Sequence, residues 1–362
     1  MTFVIAIHPD DYTNPSRQRH DDASSPRWSQ YLEDAGCTVR WVDVYSPQIL
    51  NDLAGCDAFM WRWAHFWGMY RLAHRLLPVI ENELGLLVYP DQKTCWHYDD
   101  KASQFFLMLA AGIRTPETWV FFSAERAHQW AAQETYPVVH KLTTGAGSTN
   151  VSLVTSENEA HRLIDRLFKV GCFELAEAKE RVIPFRDRVS NAMKMLRGGQ
   201  STGLIPQTGD FFHKGMIYFQ KFIPNNNCDI RVTVIGNRAF AFRRMNREND
   251  FRASGSGHIA FSPSDVPLDA VQAAFDATRR LGCQSLAFDI LMDQDQAPVI
   301  VEISYTYASW AIHDCPGHWE QNDDAPSSRL KWVDGPMWPE RAQIDVVLSQ
   351  LRNRRHASSQ RP

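Results

Sequence analysis

Two acids stand where a sheet would not choose to put them. In FDILMDQDQAPVIVEIS (288–304), two short β-favouring runs flank a polar stretch, with Asp289 inside the first run and Glu302 inside the second. If residues 294–297 form the loop of a hairpin, Asp289 faces Glu302 across the two strands, and Ser304, two positions on, shares their face. Like charges placed opposite each other destabilise a sheet, more so among apolar neighbours, and a cation between them removes the conflict. Magnesium suits such a pair, since it binds through one or two carboxylates, waters and substrate phosphates. A slipped register would instead leave both acids in solvent.

A second group of residues suits anions. The loop TTGAGS (143–148) has glycines that let backbone N–H groups approach a phosphate, although no GK[ST] follows and it is not a P-loop. Lys141 precedes it on a strand. Lys101 falls in a first helical turn, where the dipole disfavours a cation and a nearby phosphate would account for it. A second hairpin, turned at Gly236-Asn237, pairs Asp229 with Arg244 and Arg231 with Phe242 on one face. Ile230, Val232, Val234, Ala239 and Ala241 mark the other face as the buried one. With Arg252 and the glycines of DFRASGSG following, the first face reads as an anion site; a solvated cross-strand salt bridge is the plainer reading.

The elements that must carry these residues can be read in outline. A chain of 362 residues exceeds one ordinary core and implies two or three subdomains. Its 44% hydrophobic and 22% charged content is that of a soluble globular protein, and a net charge of −4 argues against a general nucleic-acid or membrane binder. Seven scattered cysteines without a CxxC point to a reducing compartment, and neither a signal sequence nor a membrane span is evident, so a cytoplasmic location is expected. Residues 1–97 alternate strand and helix as an α/β doubly wound unit, with Ser25-Pro26 starting the first helix and a polar binding loop at His8–Ser24. The run WRWAHFW (61–67) reads as packing, with an aromatic stacking platform as the alternative. DDKASQFFLMLAAG (99–112) is a helix closed by Gly112, and SENE (156–159) fits a capping box. Residues near 173–215 look like an insertion, strands from 216 onward look antiparallel with a helix near 267–281, and residues 349–362 read as a disordered basic tail.

Taken in order, DK, PVVHK with its Gly-rich loop, QKFI, DIRVTVIG, RR, DFR with glycines, FDI and VEIS resemble the ATP-grasp superfamily. They are most similar to carboxylate–amine ligases of the glutathione synthetase and ribosomal-protein glutamate ligase type, over about residues 90–345. The resemblance implies an α+β fold in which two subdomains, 98–222 and 223–348, clasp ATP behind a pre-grasp domain. It implies Lys101 and Lys141 on the phosphates, with Thr143, Thr144, Gly145, Ala146, Gly147 and Ser148 as a flap. Gln220, Lys221, Phe222 and Ile223 would hold adenine, Asp229 would line the nucleotide site, and Asp289, Glu302 and Ser304 would take Mg2+. Arg244, Arg231 and Arg252 would stabilise charge during transfer. The implied reaction passes through an acyl phosphate to an amide, on a small-molecule or saccharide-linked acid and an amine; a phosphotransferase or a non-catalytic nucleotide-binding protein are the alternatives. The resemblance is compatible with a homo-oligomer. This chain departs from the family in Ser304, where Asn is usual, and in Ser254, again in place of Asn. SYTYASWAIHDCPGHW (304–319) falls where such ligases contact substrate; His313, Cys315 and His318 within it are too few and too loosely spaced for zinc, and a Pro-Gly turn is the better reading.

Overall fold

The computed structural model describes residues 2–10, 23–64, 67–145, 150–173, 212–248, 250–321 and 330–359. Residues 11–22 of the polar loop, 174–211 of the insertion, His65 and Phe66 of the aromatic run, and Ala146, Gly147 and Ser148 lie outside them. The chain divides into two compact units. The larger comprises Met1–His65, Met69–Glu117 and Phe222–Pro362; the smaller comprises Thr118–Lys221 with Phe66–Gly68.

The larger unit opens with four parallel strands, β1 (Val4–Ile7), β2 (Thr38–Trp41), β3 (Ala58–Met60) and β4 (Leu87–Tyr89), in the order β2-β1-β3-β4. β3 and β4 are apolar and buried throughout and β1 nearly so, as strands covered on both faces must be, while edge strand β2 is exposed at both ends. The doubly wound expectation therefore holds. The first helix, Ser25–Asp34, begins one residue earlier than the serine–proline signal suggests: Ser24 is its N-cap, and the Ser24 hydroxyl donates to Glu340. Residues 349–359, expected as part of a disordered tail, continue the helix Pro339–Ser359. Ile344, Val347, Leu348 and Leu351 fall on one helical face and join Ile5, Trp28 and Leu32 in the core over the parallel sheet, while Arg352, Arg354 and Arg355 stay exposed.

The smaller unit holds β5 (Thr118–Phe121), β6 (Val138–Lys141), β7 (Val151–Val154), β8 (Cys172–Phe173), β9 (Phe212–His213) and β10 (Ile217–Lys221). Four of these form an antiparallel sheet ordered β5-β10-β6-β7, and β8 and β9 pair separately. Helices Ala124–Ala131 and Glu157–Asp165 cover the sheet through Ala127, Ala131, Ala160 and Ile164. The second of these starts as its sequence says it should: the Ser156 hydroxyl accepts from the Glu159 N–H, while the Glu159 carboxylate reaches back to the N–H of Thr155.

Back in the larger unit, β11 (Cys228–Ile235), β12 (Arg238–Met245), β13 (Ile259–Ala260), β14 (Ser285–Met292), β15 (Pro298–Ser304), β16 (Gly317–Glu320) and β17 (Lys331–Asp334) make an antiparallel sheet. Its order is β15-β14-β11-β12-β16-β17, with β13 on β12. The hairpin β11–β12 has the expected register, Asp229 opposite Arg244 and Arg231 opposite Phe242, turned at Gly236, whose φ of 57° favours glycine. Its polar face is less open than alternation suggested. Phe240 and Phe242 are buried with Tyr307, Ala311 and Ile312, so only the end bearing Asp229, Arg231 and Arg244 stays polar. In β14–β15, Asp289 does face Glu302. The loop, however, is shorter than expected: the Asp293 N–H donates to the Ala297 carbonyl and Gln296 adopts a φ of 57°. A bulge between Asp289 and Ile290, with Val301 unpaired, restores the pairing. Among the described residues no helix is long and apolar enough to cross a membrane.

Candidate active site

Asp289 sits at the middle of a three-strand arrangement, Arg231 on β11 opposite it on one side and Glu302 on β15 opposite it on the other. The two acids are compensated by different cations. Arg231 pairs with Asp289 through Nε and donates from Nη2 at 3.0 Å, and Arg244 Nη2 lies 2.8 Å from Asp289 Oδ2. Glu302 pairs instead with Lys101 Nζ at 3.4 Å, and its side chain is 35% exposed against 10% for Asp289. Burial works against the Asp289 charge, but the guanidinium groups of Arg231 and Arg244 outweigh it and hold the acid at about 2.

Arg244 also grips Asp229, donating from Nε at 2.7 Å and from Nη2 at 2.5 Å. Burial raises Asp229, and the neighbouring Asp289 charge raises it further against the pull of Arg244, so Asp229 is the acid of this pair that protonates first. Two carboxylates and two guanidiniums thus form one polar cluster on the sheet, which the Lys101–Glu302 pair joins where Glu302 faces Asp289. Lys101 is the first residue of the helix Lys101–Ala110, whose N-cap Asp100 accepts from the N–H groups of Ala102 and Ser103. The counter-charge expected for Lys101 is therefore Glu302, a carboxylate of the chain itself.

Two expected members stand differently. Arg252 is bound by Asp250, two residues away, with Nη2 at 2.6 Å. Ser304 donates its hydroxyl to the Thr306 carbonyl at 2.9 Å and accepts from the Thr306 N–H, which commits it to a local turn. Ser254 accepts from Arg244 Nη1 at 3.5 Å. His313, Cys315 and His318 do not gather: Cys315 is buried, with its thiol donating to the carbonyls of Ala241 and Ala311, and His318 lies over Phe240.

In the smaller unit, Lys141 ends β6 and is buried. The loop after it is closed by the Leu142 N–H donating to the Asn150 carbonyl, and its first half is tethered by His213, whose two ring nitrogens lie 3.3 Å from Thr143 Oγ1 and 3.1 Å from Thr144 Oγ1. Gly145 has a φ of 102°, open to glycine alone at little cost. Gln220 and Lys221 are locked into the ladder on β10, and the Gln220 amide donates to Thr118 and Tyr218. Phe222, across the boundary into the larger unit, packs edge-on to Phe251, and Ile223 follows it beyond the ladder.

Residues 205–310, which span the Asp229/Arg244 hairpin and the strands bearing Asp289 and Glu302, match the RimK-like ATP-grasp domain family. D-alanine–D-alanine ligase from Bacillus anthracis, solved with ATP, superposes with a TM-score of 0.56 at 11% identity, covering 99% of each chain. The chain has the ATP-grasp fold. D-cycloserine synthetase (TM-score 0.55, 13% identity, 96% of this chain and 99% of that one) shares it, as does a RiPP-associated ATP-grasp ligase of Chryseobacterium gregarium bound to ADP and peptide (0.54, 14%, 97% of each). A search of curated protein sequences finds no match.

Within this ATP-grasp chain, sequence reasoning missed a second polar cluster in the larger unit. A cavity is lined by Ser24, Arg62, Tyr305, Tyr307, Ser309 and Gln343, on the loop that leaves the Glu302 strand and on the edge of the parallel sheet. Behind it Glu340, wholly buried, accepts from the hydroxyls of Ser24 at 2.9 Å and Ser309 at 2.6 Å, and burial raises its pKa. Arg62 donates to Ser24 and to the Tyr307 carbonyl. These residues come from four separate stretches, so no local spacing announces them. The aromatic run near Arg62 does resolve as packing: Trp61 and Trp63 are buried, and Trp63 is ringed by Tyr70, Tyr98 and Tyr305.

Proposed function

We propose that this chain is an ATP- and magnesium-dependent ligase that joins a carboxylate to an amine. The observation that carries the reading is the Asp289–Glu302 pair on adjoining strands, set beside two partly buried arginines and a buried lysine. The donor set fits magnesium: two hard carboxylate oxygens, one of them on a side chain about a third exposed and paired with Lys101. Asp289 and Glu302 would hold the ion, which when bound supplies positive charge at the phosphate oxygens. Lys101 serves the ATP phosphates in this reading.

The chemistry asks for no protein nucleophile. An oxygen of the acid attacks the γ-phosphorus, ADP leaves, and an acyl phosphate forms; the amine nitrogen then attacks the acyl carbon, loses a proton, and phosphate departs. The protein's task is positioning and charge stabilisation. Arg244 and Arg231, held rigidly by Asp229 and Asp289, offer fixed positive charge without reorganising. Arg62 and the hydroxyls of the second cavity suit one carboxylate of the acid substrate. The superposed proteins are a D-alanine–D-alanine ligase, a D-cycloserine synthetase and a ligase bound to a leader and core peptide, which supports a small or peptide-borne acid here.

The test is product analysis. ADP and phosphate should accumulate together only when an acid and an amine are both supplied with ATP and magnesium. A stable phosphorylated product without free phosphate would replace ligation with phosphotransfer.

A further inference from the structure

Helices Ala124–Ala131 and Glu157–Asp165 of the smaller unit meet through small residues, with Ala127 and Ala160 wholly buried. His128 and His161 come next in sequence after those alanines, and the close approach brings their Nδ1 atoms to 2.6 Å. Each ring is held from behind by a carboxylate: His128 Nε2 lies 3.3 Å from Asp165 Oδ1, and His161 Nε2 lies 3.2 Å from Glu157 Oε1. An ionised carboxylate can only accept, so each Nε2 carries a hydrogen. In the neutral rings each Nδ1 then presents a lone pair, and the two lone pairs point at each other. Something positive belongs between them.

We propose that His128 and His161 form a two-histidine site for a borderline transition-metal cation such as zinc, separate from the magnesium-type carboxylates. Neutral imidazole suits zinc, nickel and copper, and a ligating histidine whose other nitrogen donates to a carboxylate is fixed in the right tautomer and made more basic. Zinc–nitrogen bonds of about 2.0–2.1 Å at a tetrahedral angle need the two nitrogens roughly 3.3 Å apart, so the rings must open by less than about 1 Å. Both side chains are about a third exposed, 34% and 30%, which leaves room for that movement and for waters to complete the shell. Among the described residues no group of three or more His, Cys, Asp or Glu is placed to hold one ion, so the site has two protein ligands and modest affinity. Lys169, 2.9 Å from Asp165 Oδ1, opposes a cation; the charges of Asp165 and Glu157 offset it.

Calorimetric titration of the whole protein with zinc chloride, in excess magnesium and without ATP, tests this. One zinc per chain is expected for the wild type. Removing a partner behind a metal-bound histidine costs 10–100-fold in affinity, so losing the histidine itself, in His128→Gln or His161→Gln, should weaken binding by at least about tenfold. Each variant's circular dichroism spectrum should match the wild type without metal. Zinc should also move the Nδ1 resonances of both rings in nitrogen NMR of the wild type, a readout that does not depend on the variants folding. No zinc uptake by the wild type, equal uptake in both folded variants, or unmoved Nδ1 resonances would overturn the proposal and leave a shared proton as the link between the rings.

Discussion

Glu302 and Asp289 face each other, yet their substitution should have unequal consequences for stability. Glu302 is a third exposed and pairs with one lysine, a contact worth ~1 kcal/mol or less. Glu302→Gln should therefore melt within a few degrees of the wild type while losing turnover by at least about 100-fold, if a metal-ligand carboxylate is removed. Asp289 is buried under two guanidiniums, and its removal takes the carboxylate partner from Arg231 and leaves Arg244 with Asp229. Asp289→Asn should cost on the order of 3 kcal/mol, read as a lower denaturant midpoint. Equal stability in the two variants would contradict the charge assignment. The facing of the two acids was legible because a hairpin is local: turn residues and alternation nearly fix the register. That Arg231 stands beside Asp289 was not, because the pairing of β11 with β14 joins residues 58 apart, and nothing in either strand names its neighbour.

At the scale of elements, the hairpins and helix starts followed from caps and turns, while their exact lengths did not. The four-residue loop expected before β15 is shorter by a residue, and the bulge at Val301 compensates, so the right pairing rests on two irregularities that cancel. The C-terminal segment was misjudged for a related reason: its arginines and serines suggest a solvated tail, but Leu351 completes an apolar face whose partner sheet lies over 260 residues away in sequence. One glycine marks a close approach that sequence alone could not reveal. A Cβ on Gly317 would lie 2.2 Å from the Val333 carbonyl oxygen and 2.6 Å from the Trp332 ring. Since backbone must shift to relieve this, Gly317→Ala should lower stability by about 1–3 kcal/mol and loosen β16 and β17, seen as faster amide exchange in those strands. Unchanged exchange there would show that the approach is not as close as described.

For the whole molecule, acid should weaken both units. His97 in the larger unit and His140 in the smaller are each lowered to about 4, His97 by burial, and His140 by burial first and then by Arg166 and His213. Unfolded, such a ring protonates near its ordinary value of about 6.5. Between those limits the unfolded chain binds protons that the folded chain refuses, so the contribution is complete above about 6.5 and is lost as pH falls towards about 4, on the order of 3 kcal/mol for each ring. Denaturant midpoints measured across that window should fall with pH, and His140→Gln should flatten the slope for the smaller unit. A midpoint that does not change over the window would mean the rings are charged in the folded state.

The reading of this ATP-grasp chain as a ligase depends most on Glu302 and Asp289 holding a divalent ion against ATP. Calorimetry with a nonhydrolysable ATP analogue, with and without magnesium, in wild type and Glu302→Gln, measures that directly. We expect wild-type affinity to rise with magnesium, and the variant to lose most of that rise while keeping its fold. The same magnesium-dependent affinity in both proteins would contradict it.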